Sequence, residues 1–262
     1  MDTPQQARSF TNPRAGSPPR WLEVLVAVVA LTYPVAYTYV YFVGMAGAPQ
    51  IGQQVVYSGG KVLQFALPLL WMGWLWLRGA YRGGPSTRDT PEAPWTLGRS
   101  LTICLGFSLL TIFGLSLIGG LWLLPAGYLD VAGRAIRERI VQFGITTAWR
   151  YAGLSVFYAV VHSYLEEYYW RWFAFRQLRR LTPLAPAAII SGLAFAAHHV
   201  LVLGLFFGWA SPLAWLAGGS VAVGGAFWAW LYERSGRLWI AWLSHMLIDI
   251  GVFGMGYWMI LK

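Results

Sequence analysis

The stretch "HSYLEEYYWRWF", residues 162–173, brings three charged side chains to the end of a long apolar run. Glu166 and Glu167 are adjacent, and Arg171 follows four residues after Glu167. The chain has only ten acidic side chains among its 262 residues, so an adjacent pair at the edge of a predicted membrane span is unusual. A charged group near mid-bilayer costs about 2.5–3.5 kcal/mol on insertion scales, which makes a retained one a candidate functional residue.

The rest of the composition indicates a membrane protein. The chain is 57% hydrophobic and 11% charged, whereas ordinary soluble domains are roughly 45–50% apolar and about 25% charged. Backbone groups in lipid must be satisfied within the segment, so the apolar stretches should be α-helices. We predict an all-α, polytopic transmembrane helix bundle of about seven spans, with eight as the upper number. The spans are predicted at 21–44, 62–79, 100–124, 150–171, 186–207, 212–232 and 238–260.

Two segments fall outside these spans. Residues 1–20 are polar and rich in Pro, which predicts a disordered tail, and residues 21–262 should then form a single transmembrane bundle. The segment "RAIRERIVQFGI", residues 134–145, places apolar side chains on one helical face among charged ones. That pattern predicts an amphipathic helix lying at the bilayer surface. The single cysteine, Cys104, reads as a small buried hydrophobic residue.

Basic residues predict the orientation of the bundle. The net charge of +9 would suit nucleic acid, but the positive-inside rule explains it more simply in an integral membrane protein. With a cytoplasmic N-terminus, thirteen of the nineteen basic residues lie on the cytoplasmic side. The other six, which include Lys61 and three arginines of residues 134–139, would then lie in outside loops. We therefore expect the N-terminus in the cytoplasm.

Ionisable residues within the predicted spans gather in the C-terminal half of the chain. All four histidines of the protein lie there, on three helices that can meet. Side chains three or four residues apart share a helical face, so Glu167 and Arg171 should form a salt bridge that leaves Glu166 free. His245 and Asp249 have the same spacing. The inventory is His162, Glu166 and Glu167 in the fourth span, His198 and His199 in the fifth, and His245 and Asp249 in the seventh.

These residue types suit the hydrolysis of a peptide bond without a covalent intermediate. A buried carboxylate can act as the general base for a water molecule, and a polar pair on another helix can stabilise the developing oxyanion. The sequence contains neither an H-E-x-x-H nor a G-x-S-x-G motif. Asp249 is the only aspartate within a predicted span, which excludes an aspartyl dyad. A glutamate acting with histidines remains.

Three short motifs on separate predicted helices resemble those of the CPBP family, the CAAX-protease and bacteriocin-processing (ABI) family of intramembrane glutamic proteases. That family shows E-E-x-x-x-R, then F-x-x-x-H, then H-x-x-x-N or H-x-x-x-D. In this chain they read "EEYYWR" at 166–171, "FAAHH" at 195–199 and "HMLID" at 245–249. The resemblance implies a catalytic core at about 150–255.

Carried over by position, the resemblance implies roles for six residues. Glu166 would activate water, with Glu167 and Arg171 supporting it, and His199 would be the second catalytic group. His245 and Asp249 would bind the oxyanion or the substrate carbonyl. His162 and His198 have no counterpart in the family motifs, so we interpret His162 as a neighbour on the helix face and His198 as a packing or hydrogen-bonded residue. Many family members carry Asn at the position of Asp249, so this aspartate would have to be protonated or would orient His245.

The sequence therefore predicts an intramembrane endopeptidase that cleaves a membrane-associated protein or peptide, with no cofactor and no nucleic-acid partner. Three other hypotheses stay open at this point. Glu166, His199 and His245 could hold a zinc or iron ion as a metal-dependent protease. Buried Glu and His chains also serve proton-coupled transporters, and a non-catalytic immunity-type membrane protein is the third possibility.

Overall fold

A computed structural model describes residues 18–78, 94–142 and 144–261 of the chain. The predicted tail at 1–20 lies almost wholly outside the described residues, since only residues 18–20 of it are included. The described residues form eight helices, which confirms the predicted all-α bundle. They are α1 (Arg20–Gly44), α2 (Gln50–Leu77), α3 (Leu97–Leu123), α4 (Tyr128–Gln142), α5 (148–181), α6 (Leu184–Phe207), α7 (Pro212–Ser235) and α8 (Leu238–Leu261).

Five of these helices are long and apolar enough to cross a membrane, namely α1, α3, α6, α7 and α8. The other two predicted spans correspond to α2 and α5, which carry more polar residues. Helix α2 begins at Gln50, about a turn after the end of α1, so the expected outside loop before residue 62 is wrong. Lys61 consequently lies within a helix and not in a loop.

Helix α5 differs most from its predicted span. It continues to residue 181, ten residues beyond the expected end at 171, so Glu166 and Glu167 lie inside a helix and not at its edge. Two π-helical runs, Phe157–His162 and Tyr168–Phe175, flank a short α-helical piece, Ser163–Glu167. π-Helical turns are rare in proteins, and those that occur often lie at functional sites. The two glutamates thus occupy an unusual backbone segment.

Contacts between helix ends show how the bundle is threaded. Arg180 near the end of α5 pairs with Glu23 near the start of α1, at 3.5 Å. Trp95, just before α3, donates its N–H to the carbonyl of Arg234 at the end of α7. At the opposite end, the Tyr151 hydroxyl in the first turn of α5 donates to the carbonyl of Phe253 in α8. Successive long helices therefore run in alternating directions, as a polytopic bundle requires.

Glycines let two helix pairs approach closely. A Cβ atom on Gly192 of α6 would lie 2.6 Å from the Ala222 carbonyl oxygen of α7, so α6 and α7 pack backbone against backbone. A Cβ on Gly60 of α2 would overlap the ring of Tyr37 in α1. These two glycines thus fix the α6–α7 and α1–α2 contacts that surround the polar site.

The remaining sequence predictions concern α4 and Cys104. A helix does occupy the predicted amphipathic segment, but it begins at Tyr128 rather than at 134 and contacts α6 and α8. Its place at the bilayer surface stays a prediction, and Phe143 lies outside the described residues. Cys104 is fully buried and its Sγ lies 3.5 Å from the carbonyl oxygen of Ile240, which agrees with the structural role expected for it.

Candidate active site

The first layer of the site is an ion pair within one turn of α5. Arg171 Nη1 lies 3.0 Å from Glu167 Oε1, and both side chains are completely buried. The guanidinium also donates from Nη2 to the carbonyl of Gly225, at 3.1 Å, and stacks over the rings of Phe195 and Trp228. The expected i,i+4 salt bridge is therefore present. The contacts of the Arg171 guanidinium with Gly225, Phe195 and Trp228 connect α5 to α6 and α7.

Glu167 has a second partner that the sequence did not reveal. His245 Nδ1, on α8, lies 2.8 Å from Glu167 Oε1. Since the carboxylate is an acceptor that is paired with Arg171, the imidazole donates its Nδ1–H to it. His245 also stacks on Trp228, with the ring centroids 4.1 Å apart. These contacts hold the ring so that its Nε2 points toward Glu166.

Glu166 lies among imidazole nitrogens from three helices. Its Oε1 is 3.2 Å from His162 Nε2 on α5 and 3.7 Å from His198 Nε2 on α6. Its Oε2 is 3.8 Å from His245 Nε2 on α8. The Glu166 side chain is only 5% exposed, so a charge on it depends on these neighbours and not on water.

His199 approaches the same carboxylate from α6. Its Nδ1 lies 3.0 Å from the carbonyl oxygen of Phe195 one turn earlier, and the two rings are in contact. A carbonyl oxygen can only accept, so Nδ1 carries the hydrogen and Nε2 of a neutral His199 is left as an acceptor. One ligand atom each from Glu166, His198 and His199 lies within 4.8 Å of the others.

Asp249 is a partly exposed member of the predicted site. Its Oδ2 lies 3.7 Å from His245 Nε2, and its side chain is 25% exposed. The expected i,i+4 neighbourhood of His245 and Asp249 is present, but the closer partner of His245 is Glu167. The structure therefore assigns the orientation of His245 chiefly to Glu167, where the sequence suggested Asp249.

The structure brings together all six predicted site residues, which come from α5, α6 and α8. The family motifs gave no role to His162 and His198, which were interpreted as a helix-face neighbour and as a packing or hydrogen-bonded residue. Their contacts with Glu166 agree with these interpretations. His198 does pack, because it stacks on Trp170, yet it also faces Glu166. The spacing of His162 four residues before Glu166 was the available signal for that contact.

The ligand geometry bears on the metal-dependent hypothesis. The expected donor set was Glu166, His199 and His245, but the closest group among the described residues is Glu166 with His198 and His199. His245 offers only Nε2, because its Nδ1 bonds to Glu167. A carboxylate and two imidazoles are ligands that zinc accepts, together with a water molecule. These three residues fit a metal ion by donor type and spacing.

Comparison with known families supports the assignment of the site-bearing region. Residues 147–251 match the family model described as Type II CAAX prenyl endopeptidase Rce1-like. Neither the curated proteins nor the solved structures gave a match. All three motifs lie within the matched residues, so the resemblance to the CAAX protease family is confirmed for this region. The match over these residues indicates a membrane protease of the CAAX type, and it disfavours a transporter or an immunity protein.

Proposed function

We propose that this protease hydrolyses a peptide bond near the C-terminus of a membrane-associated protein or peptide, using a water molecule activated by Glu166. One observation supports this role above the others. The Glu166 carboxylate is nearly buried, and imidazole nitrogens from α5, α6 and α8 lie 3.2, 3.7 and 3.8 Å from its oxygens. Glu167, in contrast, is neutralised by Arg171.

In the proposed reaction, Glu166 takes a proton from water as the oxygen attacks the scissile carbonyl carbon. His199 is the second catalytic group: its Nε2, an acceptor in the neutral ring, can hold the second hydrogen of that water. Two hydrogen bonds of about 2.8 Å can span the gap of up to 4.8 Å between the two residues. The C–N bond then breaks, and Glu166 returns the proton to the departing amine.

His245 and Asp249 are proposed to act on the oxyanion. With Nδ1–H held by Glu167, the Nε2 of His245 is the atom directed toward Glu166 and Asp249. A proton on Nε2 would lie between the carboxylates of Glu166 and Asp249. It can be donated to the carbonyl oxygen of the scissile bond as negative charge develops on that oxygen. Asp249 then acts by holding that proton on His245. In this proposal an aspartate can serve where an asparagine is more usual.

The expected substrate follows from the bilayer and the family. The polar site is enclosed by membrane-spanning helices, so a substrate anchored in the same bilayer can reach it by lateral diffusion. The description of the matching family names a prenyl CAAX substrate, and we propose a C-terminal tail of that type as the first one to test. The catalytic core is proposed to occupy about residues 150–255 of a single bundle at 21–262.

The direct test uses the purified protein in liposomes with a prenylated CAAX peptide, followed by mass spectrometry. We expect two new fragments with the unaltered protein and none with Glu166→Gln, which keeps the size of the side chain but cannot take the proton. Glu138→Gln is the matched control, because it makes the same change at an exposed glutamate on α4 and should leave cleavage unaltered. Equal cleavage by the Glu166→Gln protein would contradict the assignment of Glu166.

A metal-dependent protease at the same site is the second candidate, favoured by the grouping of Glu166, His198 and His199. A bound zinc ion would lower the pKa of its own water and would make His198 a ligand. Treatment with a strong chelator distinguishes the candidates. Unchanged cleavage supports the metal-free reaction, whereas loss on chelation and recovery on adding zinc, absent in His198→Phe, supports the metal-dependent one.

A further inference from the structure

Lys61 is a cation beside the site that neither the motifs nor the proposed reaction uses. It lies on α2, is partly buried, and interacts electrostatically with Glu166 and His198. Its Nζ lies 5.9 Å from the ring centroid of Tyr37 and 5.7 Å from that of Phe65. The ammonium group is thus held by aromatic rings at the edge of the polar site.

Contacts on both sides of Lys61 fix its level in the bundle. One turn earlier on α2, the Tyr57 hydroxyl lies close to that of Tyr158 in α5. One turn later, the carbonyl of Phe65 accepts a hydrogen bond from the Tyr168 hydroxyl of α5. Residues 57, 61 and 65 share one helical face. Lys61 therefore faces the part of α5 between residues 158 and 168, which contains Glu166.

Among the residues that the structure describes, no carboxylate neutralises this ammonium at close range. None of the ion pairs formed by the described residues includes Lys61, and Glu166 is already surrounded by three histidines. A charge in poorly solvated surroundings is costly when it is left unpaired. Gly60, the preceding residue, makes room for the Tyr37 ring against α2, so the position of the ammonium is built by the α1–α2 contact.

We propose that Lys61 binds the free C-terminal carboxylate of the substrate and so determines that cleavage occurs near a chain end. This inference rests on the proposed function and specifies the substrate class more closely. Lys61 interacts electrostatically with Glu166, so a substrate whose scissile bond lies at Glu166 can present a nearby chain end to the ammonium. The carboxylate supplies the negative charge that no residue in the described part of the chain supplies at close range.

The test compares two prenylated CAAX peptides that differ only at the C-terminus, one a free acid and the other an amide. We expect the unaltered protein to cleave the acid with a kcat/KM roughly tenfold or more above that of the amide. Lys61→Met should reduce cleavage of the acid to the level of the amide and leave the amide unchanged. Lys61→Arg, which keeps the charge, should retain part of the preference.

Arg78→Gln is the matched control, because Arg78 is a cation directly after the end of α2, far along the chain from Lys61, and it also stacks on an aromatic ring, that of Trp74. It should leave the acid-to-amide ratio unchanged. If Lys61→Met slows both peptides equally, Lys61 acts on Glu166 and the carboxylate assignment is wrong; an unaltered protein that cleaves both equally also overturns it. Failure of the unaltered protein to cleave either peptide would instead contradict the proposed function itself.

Discussion

His245 Nδ1 lies 2.8 Å from Glu167 Oε1, and the same oxygen lies 3.0 Å from Arg171 Nη1. One carboxylate oxygen therefore joins a cation on its own helix to an imidazole on α8. Glu167 has two tasks that can be separated by experiment: it neutralises a completely buried arginine, and it orients the histidine that faces Glu166.

Replacing Glu167 by Gln should lower both stability and activity. The neutral amide leaves the Arg171 charge uncompensated, and breaking a buried pair costs about 3–5 kcal/mol. The double change Glu167→Gln with Arg171→Met should recover part of the stability but not the activity, because His245 still lacks its anionic partner. Thermal unfolding in detergent and peptide cleavage measure the two effects. Full recovery of activity in the double variant would show that Glu167 has no role beyond pairing with Arg171.

Glu166→Gln should have the opposite profile. A positioned general base contributes typically about 10²–10⁴-fold to the rate, so hydrolysis should be nearly lost. Stability should stay close to that of the unaltered protein, because the glutamine fills the same volume and still accepts a hydrogen bond from His162. Single-turnover cleavage with the protein in excess measures the residual rate. An active Glu166→Gln protein beside a stable, inactive Glu167→Gln protein would reverse the assigned roles.

The spacing of residues in the sequence predicted the side-chain contacts that form within a single helix. The Glu167–Arg171 pair and the proximity of His245 to Asp249 follow from i,i+4 geometry, and the three motifs identified the helices that meet. The bond from Glu167 to His245 could not be predicted, since it joins residues 78 positions apart. Its existence depends on how α5 and α8 are rotated against each other, which hydrophobic patterning does not specify.

The start of α2 was also predicted wrongly because contacts between helices determine it. Residues 50–61 contain Gln, Gly, Tyr and Lys, so their hydropathy predicts a loop. The structure makes them helical, because Tyr33 and Tyr37 of α1 bond to the carbonyls of Gly60 and Tyr57 and pack against this half of α2. Tertiary contacts thus determine the start of α2, and they place Lys61 beside the site.

His162 should act as a positioning residue for Glu166. Loss of a hydrogen bond to a charged group is worth about 1.5–3 kcal/mol, so His162→Phe should reduce kcat roughly tenfold or more. His162→Gln, which can still donate to Glu166 Oε1, should retain more of the rate. If His162 had only a structural role, both variants would lose thermal stability and their kcat values would not differ. Thermal stability and kcat are therefore measured for both variants.

Gly192 should be needed for the approach of α6 to α7. In Gly192→Ala the new Cβ would lie 2.6 Å from backbone atoms of Ala222 and Ala226, and overpacking costs typically about 1–3 kcal/mol. Separation of the helices would also weaken the bond from Arg171 to the carbonyl of Gly225. Gly219→Ala is the matched control, because nothing lies within 4 Å of the added Cβ. Thermal unfolding of the two variants should differ, and equal stability would contradict this packing.

The cytoplasmic position of the N-terminus is proposed from basic residues that gather at one end of the bundle. Arg180 pairs there with Glu23, and Arg237 donates to the carbonyl of Trp95. In a Cys104→Ala background, a cysteine at Gly98 should react with a membrane-impermeant thiol reagent only after cells are permeabilised. A cysteine at Ala126, at the other end of α3, should react in intact cells. Both side-chain positions are exposed, so the reverse labelling pattern would place the basic end, and the N-terminus with it, outside.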